Sequence, residues 1–404
     1  MAEKGKWFKT PEEIKIHTYC IGGNEDKFIV RFLNNMKEAG CESLSILCTK
    51  SEDGMWEHLV QIKETDEYWR ERLIIKYQEI KPWRFDVARN ESIKLIPEDA
   101  DYWYCIDEDE MLTPGFFSQV KKRIFELGYI PKRMYYKYAW SHLPDGTPDR
   151  VFPYDKLSSP HHTWKFPVHE SLVLDPAYED VYGPPVNIDN METIWLHHWP
   201  DPTKSRGSYL GLLRLRAEEY PDDLYGLFYL AREENFAGNH DKSMAVFNSL
   251  FERLNRPGVN DDYMMRPTTA LALAEEYSKL GMAPEAEFYF KRAIEIDEHI
   301  IDSYVRYSQW LAYQGRPGDA LSVLQKGKKN GRPHQDWRTL PWLNTHWKHA
   351  QIVADCLCWL EQYDAAWAVI SQAYDEVKDT GEENNARGEG FFSDYEFIKE
   401  RVGK

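Results

Sequence analysis

No apolar run in this chain approaches the roughly 18 residues that a membrane-crossing helix needs, so no span is expected. Residues 1–10 are polar and lysine-bearing with no apolar stretch behind them, which argues against a signal peptide. Cysteine is scarce and scattered: Cys20, Cys41, Cys48, Cys105, Cys356 and Cys358, with no C-x-x-C pair. Three of them lie in or beside strand-like apolar runs, as buried thiols do. Cys356 and Cys358 fall in a helical stretch, where neighbours two apart do not face each other. Zinc or disulfide use is therefore not expected, and the chain reads as cytoplasmic. Positive charge is short as well: 50 Lys and Arg against 67 Asp and Glu leave a net charge of −17. A phosphate backbone or an anionic membrane surface is repelled by such a field, so neither nucleic acid nor an anionic membrane surface is expected as a partner. A phosphate loop is also missing. Gly22-Gly23 has no Gly-Lys-Ser/Thr nearby, which weighs against a nucleotidyl- or phosphotransferase.

Against these absences stand many aromatic residues, 14% of the chain, among them 15 Trp and 25 Tyr. With 42% hydrophobic and 29% charged residues, this is a folded globular composition and not a disordered one. A length of 404 residues exceeds what one core supports, so two domains are expected. The aromatic excess suits sugar- or protein-facing surfaces, where a ring face stacks and its polar edge still hydrogen-bonds. A large core with groove-lining repeat residues accounts for it equally well.

The first half alternates short apolar runs with amphipathic stretches. Residues 14–21 (IKIHTYCI) read as a strand ending at Gly22-Gly23, and 26–39 as the helix after it. Residues 43–48 read as a second strand before the turn-rich 49–54, and 73–77 as a third. A helix over 85–95 precedes the strand 101–106 (DYWYCI), which runs straight into Asp107, Glu108 and Asp109. Alternating strands and helices predict βαβ units and a mostly parallel sheet. Ligands in such sheets bind beyond the carboxyl ends of strands, where both 22–25 and 107–109 fall. After Pro114, residues 133–140, 168–174 and 193–198 read as further strands of a smaller half that could hold an acceptor.

The second half is helical and periodic. Ala274, Tyr277, Gly281, Ala286, Phe290 and Ala293 recur 34 residues on as Ser308, Leu311, Gly315, Ala320, Leu324 and Gly327. Small stays small and large stays large at the tetratricopeptide repeat length. An earlier copy runs through Ala231, Gly238, Ser243 and Phe247, separated by a polar insertion over 255–263, and a weaker later copy holds Ala366, Ile370 and Ala373.

Asp107 and Asp109, one residue apart at a strand end, can face a hard divalent cation (Mn²⁺ or Mg²⁺) together. Residues 85–90 (FDVARN) with 102–111 (YWYCIDEDEM) resemble the F-x-x-A-R-N and D-x-D-E signature of family 2 glycosyltransferases. Asn24-Glu25 is similar to the Asn-Glu that follows the first strand there, and 49–54 (TKSEDG) stands where that family has an Asp-Gly-Ser-x-Asp turn. Arg150-Val151-Phe152, Val168-His169-Glu170 and His197-His198 match its remaining landmarks, so the resemblance covers residues 13–205. It implies the GT-A fold, an α/β Rossmann-like nucleotide-sugar domain. It also implies inverting transfer from a nucleotide-sugar donor to a polypeptide or glycan acceptor.

The same resemblance implies roles. Asp107 would contact the nucleotide ribose or the metal, and Asp109 would be the main metal ligand. Arg89 and Asn90 would lie near the donor, Asn24 and Glu25 near the nucleotide. His197 or His198 would complete the metal site; adjacent strand residues point to opposite faces, so only one of them is expected to reach it. An inverting reaction needs a base, and Glu170, past the metal motif and beside His169, is the candidate, with Asp149 in reserve. A structural Glu170 paired with a neighbouring cation is the other reading. The pair His161-His162 reads as loop surface. The expected organisation is a GT-A domain over 13–205, tetratricopeptide-like repeats over 206–379 and a polar tail over 380–404. The alternative is an interaction scaffold whose repeats bind a peptide while a degenerate first half is kept for structure. Stacked repeats make a concave surface for extended partners, which favours a polypeptide acceptor or self-association as a homodimer.

Overall fold

The computed structural model describes residues 9–143, 145–188, 193–201, 209–259, 264–334, 336, 338, 340, 343, 345–378 and 386–404, with 386–389 in backbone only. Two compact units emerge: Met1–Ser141 with Val151–Tyr220, and His142–Arg150 with Pro221–Lys404. The expected boundary at 205/206 lies outside the described residues. The helix that follows, Tyr209–Glu219, belongs to the first unit, where Arg216 is buried and donates to the carbonyls of Val168 (2.9 Å) and His169 (2.7 Å).

In the first unit the apolar runs become β1 (Ile16–Gly23), β2 (Leu44–Lys50), β3 (Leu73–Tyr77) and β4 (Tyr102–Cys105), paired in parallel in the order β3-β2-β1-β4. Buried residues run nearly unbroken along β1 and β2, the pattern of strands covered on both faces. Three helices fall between them, α1 (Asp26–Glu38), α2 (Met55–Thr65) and α3 (Phe85–Ile93). The buried residues of α1, Ile29, Phe32, Leu33 and Met36, share one face at helical spacing. Asn35 on the same face ties α1 to the strand Glu110–Leu112, because its amide group donates to the Leu112 carbonyl (2.8 Å) and accepts from the Leu112 N–H (2.7 Å).

Beyond β4 the sheet changes character. Its remaining strands are β5 (Glu110–Leu112), β6 (Arg133–Ala139), β7 (Val151–Ser158), β10 (Val186–Asn187) and β11 (Trp195–His198), with α4 (Phe116–Leu127) after β5, while β8 (His162–Lys165) and β9 (Ser171–Leu174) form a separate antiparallel pair. β7 runs antiparallel to both β4 and β6, and β11 is parallel to β6 but antiparallel to β5. The expectation of a mostly parallel sheet is corrected to a mixed one. Parallel neighbours need a crossover, usually helical, and the β6–β7 connection carries no helix among its described residues. The expected strand 168–174 is shorter than its apolar run, because Phe166 (φ 81°) and His169 (φ 49°) take left-handed backbone and β9 starts only at Ser171.

The second unit is helical. Taking Tyr209–Glu219 as α5, it holds the pairs α6 (Leu224–Phe236) with α7 (His240–Leu254), α8 (Met265–Lys279) with α9 (Ala283–Ile296), α10 (Ile301–Tyr313) with α11 (Pro317–Asn330), and α12 (His346–Trp359) with α13 (Tyr363–Val377). The sequence period is reproduced as burial: Ala274 and Ser308, Ala286 and Ala320, and Phe290 and Leu324 are all buried at equivalent places. Gly238, Gly281 and Gly315 each close the turn inside a pair with φ between 67° and 75°, a conformation that costs a residue with a Cβ. Part of the expected polar tail, 386–404, forms α14 (Ala386–Arg401), whose Phe391 and Ile398 are buried against α12 and α13 residues such as Trp347, Ile370 and Ala373. Residues 380–385 and 260–263 lie outside the described residues.

Candidate functional site

The carboxyl ends of β1 and β4 hold the charged centre that the sequence points to. β4 ends at Cys105, and the turn after it places Asp107 so that its backbone N–H donates to Glu110 Oε2 at 2.9 Å. Both Asp107 side-chain oxygens meet cations: Oδ1 accepts from Arg89 Nη2 (2.9 Å) and Oδ2 from Lys156 Nζ (2.7 Å). Arg89, buried on α3, also donates to Cys105 Sγ (3.0 Å) and to Glu170, and lies 5.1 Å from the Trp164 ring centre. Lys156, buried on β7, lies 3.7 Å from Glu110 Oε2. Burial opposes charge on Asp107, but Arg89 and Lys156 more than offset it and hold its carboxyl well below the usual range. Glu110 ends above its usual value, with burial the leading cause and Lys156 opposing it. Two cations thus face Asp107, Glu110 and Glu170, an ion network closed by residues of this unit alone.

The other expected residues are placed as follows. Asn24, with φ 58°, ties the end of β1 to the turn before α2: it donates to Glu52 Oε2 (3.1 Å) and accepts from the Glu52 N–H (2.7 Å). Glu25 is buried at the N-terminus of α1. Asn90 is a latch on β8, donating to the Trp164 carbonyl and accepting from the Trp164 N–H, each at 2.8 Å. Glu170 is the ion-pair partner of Arg89. Asp149 falls in the segment assigned to the second unit. Asp109 Oδ2 lies 3.5 Å from His198 Nε2, and His198 Nδ1 is 3.1 Å from the Trp140 carbonyl oxygen. Burial pulls the His198 pKa down, but the hydrogen bond to Asp109 and the charges of Asp109 and Glu110 outweigh it and raise it. His197 instead stacks on Trp195 at 5.7 Å, its pKa lowered by burial. Strand alternation thus separates the two histidines as expected.

Among the described residues no three His, Cys, Asp or Glu side chains are placed to hold a metal ion together. Asp107 is paired with Arg89 and Lys156, and Asp109 approaches His198. As they stand, these residues do not form a cage for the divalent cation. His162, expected on loop surface, is buried at the start of β8, its Nδ1 2.9 Å from the Ser159 carbonyl oxygen; burial takes its pKa down to about 4. His161 does face solvent, stacked on Tyr178.

Sequence reasoning missed Lys156 and Glu108. Glu108 is buried, and burial, with Asp107 adding to it, pushes its carboxyl up to about 8. A Cβ on Gly22 would lie 2.1 Å from Glu108 Oε1, so the glycine near the end of β1 makes room for this carboxyl. In the turn between β2 and α2, Asp53 accepts from the Asp26 N–H (2.8 Å) and the Met55 N–H (3.1 Å), satisfying the first amides of α1 and α2.

No family model matches the chain, and no curated protein matches it. Several solved structures similar to it are tetratricopeptide-type proteins, and none of these is a glycosyltransferase. One is TTC0263, a thermophilic TPR protein in Thermus thermophilus, at 17% identity over 48% of this chain and 89% of that one, with a TM-score of 0.33. MamA matches at 11% identity over 44% of this chain and 85% of its own, with a TM-score of 0.33. PilW, a type IV pilus biogenesis factor, matches at 16% identity over 45% and 79%, with a TM-score of 0.32. The resemblance to family 2 glycosyltransferases and the GT-A assignment are corrected by these comparisons. With them go inverting sugar transfer, the D-x-D reading and manganese as descriptions of this chain.

Proposed function

We propose that the chain is an interaction protein: the paired helices of the second unit bind a polypeptide partner, and the first unit is a structural α/β domain. The observation that carries this reading is the repeated helix pair. From α8 to α13 the pairs bury their small and apolar residues against one another in shared clusters. An array of this kind presents an extended surface of outward-facing side chains, the geometry that suits a peptide. Tyr313, Trp359 and Phe397 are such side chains, with 65%, 58% and 46% of their surface exposed. In the first unit, the closed network of Arg89, Asp107, Lys156, Glu110 and Glu170 supports a structural role, because its charges already answer one another.

Among the described residues no helix is long and apolar enough to cross a membrane. All six cysteines are free thiols, which fits the reducing compartment proposed for the chain, the cytoplasm. The test is selection of a random-peptide library on the full chain. The reading expects enriched peptides whose binding survives Asp109→Ala in the first unit and falls with substitutions on the second. A library that yields no binder would refute it.

A further inference from the structure

Four helices near the end of the chain, α10, α12, α13 and α14, enclose a cleft with aromatic and acidic lining. It has a volume of about 440 Å³ and is framed by the ends of α10 and α12, the start of α13, and α14. Its rim is aromatic, with Tyr313, Trp359, Tyr363 and Phe397, and its lining includes the carboxylates Asp355, Glu361 and Asp394. We propose that this cleft receives an arginine side chain of a polypeptide partner. The inference rests on the interaction reading above and names the chemistry of the partner.

Three observations support it. Tyr313, Trp359 and Phe397 keep about half or more of their surface in solvent, so these rings are a wall and not core. An aromatic face attracts a cation, and the planar guanidinium stacks on it while keeping its edge for hydrogen bonds. Two of the four rim rings already take a guanidinium from within the chain, since Arg401 on α14 lies 5.2 Å from the Phe397 ring centre and 5.7 Å from that of Tyr363.

The carboxylates supply the second feature. Gln351 donates to Asp394 Oδ2 at 2.5 Å, which fixes that group against α12. Burial, with the charge of Asp394 adding to it, holds Asp355 up to about 7, while Lys348 pulls the other way. Asp394 is raised too, by burial first, with Gln351 and Lys348 opposing. A partner cation between the two carboxylates would relieve this repulsion and form charge-assisted hydrogen bonds, which a neutral side chain cannot do.

Charge complementarity extends beyond the cleft, because the chain carries a net charge of −17 and draws a basic partner toward it. The fork of a guanidinium can address two carboxylates while lying flat on Trp359. A lysine ammonium is a point charge and lacks that plane.

The experiment uses the full chain and the probe N-acetyl-Gly-Arg-Gly-amide, followed by calorimetry. Its control replaces arginine with citrulline, which keeps the shape and removes the charge. Arginine should bind at least about tenfold tighter than citrulline, and Asp355→Asn with Asp394→Asn should remove most of that difference. Trp359→Ala changes an exposed ring, so it keeps the test open should the double variant misfold; it should weaken the arginine probe by roughly threefold to tenfold. Equal binding of the two probes overturns the inference. Library peptides that bind the full chain without arginine, and bind the double variant as well as the parent, also overturn it while leaving the interaction reading standing. Failure of every peptide to bind refutes the interaction reading itself.

Discussion

Lys156 Nζ and Asp107 Oδ2 lie 2.7 Å apart, joining the middle of β7 to the turn after β4. Lys156 keeps only 8% of its side-chain surface in solvent and also faces Glu110, which keeps 2%. Removing one member of such a pair strands the others in a poorly solvated place. Lys156→Met should therefore destabilise the fold by about 3–5 kcal/mol, and adding Asp107→Asn should recover part of that loss. Urea unfolding of the two single variants and the double variant measures this. Additive losses would show that the two groups do not act as a pair.

This centre was only half legible in the sequence. Asp107 and Arg89 stand out because one follows a strand and the other sits in an apolar helical pattern. Lys156 carries no such signal, since it lies in PYDKLS, where burial does not alternate. Its partner is 49 residues away, and nothing local announces the contact. The motif reading has Asp107 and Asp109 facing a divalent cation together, with Asp109 the main ligand. The fold instead gives one to Arg89 and Lys156 and the other to His198. α14 was missed for a different reason. The polar 379–390 stretch dominates its composition, while Phe391 and Ile398, seven residues apart on one helical face, are the residues that pack. The repeats were legible because every copy must bury the same small and large positions.

His17 gives a pH dependence with a defined sign. Its Nδ1 lies 2.7 Å from Ser43 Oγ and its Nε2 3.0 Å from Ser45 Oγ, in the buried face of β1. Burial, with the Asp99 charge opposing, takes its pKa from 6.5 down to about 4. Between these values the unfolded chain binds a proton that the folded chain does not. The contribution is therefore complete above pH 6.5 and is lost as pH falls toward 4, on the order of 3 kcal/mol in all. His17→Gln keeps hydrogen-bonding atoms but does not titrate. Its unfolding free energy should fall less steeply over that window than the parent's. Parallel pH profiles would contradict the assignment.

The repeat turns offer a test of backbone strain. Gly238, Gly281 and Gly315 take left-handed φ at the turn inside their pairs, but the α12–α13 turn uses Glu361 at φ 57°. Glu361→Gly should raise stability by about 1 kcal/mol, read as a higher thermal midpoint. The opposite sign is expected at Gly327, where a Cβ would lie 2.5 Å from Tyr304 Cβ. There Gly327→Ala should cost about 1–3 kcal/mol. A neutral result at Gly327 would mean that α10 and α11 pack less closely than described.

The central claim is that the helix pairs of the second unit, and not the strand ends of the first, are where this chain meets its partner. Amide hydrogen exchange of the full chain, with and without a peptide selected on it, tests this most directly. The account predicts new protection in the backbone of α10, α12 and α14, with the turn after β4 and the loop after β1 unchanged. Protection confined to those two strand ends, with the helices exchanging as before, would contradict it.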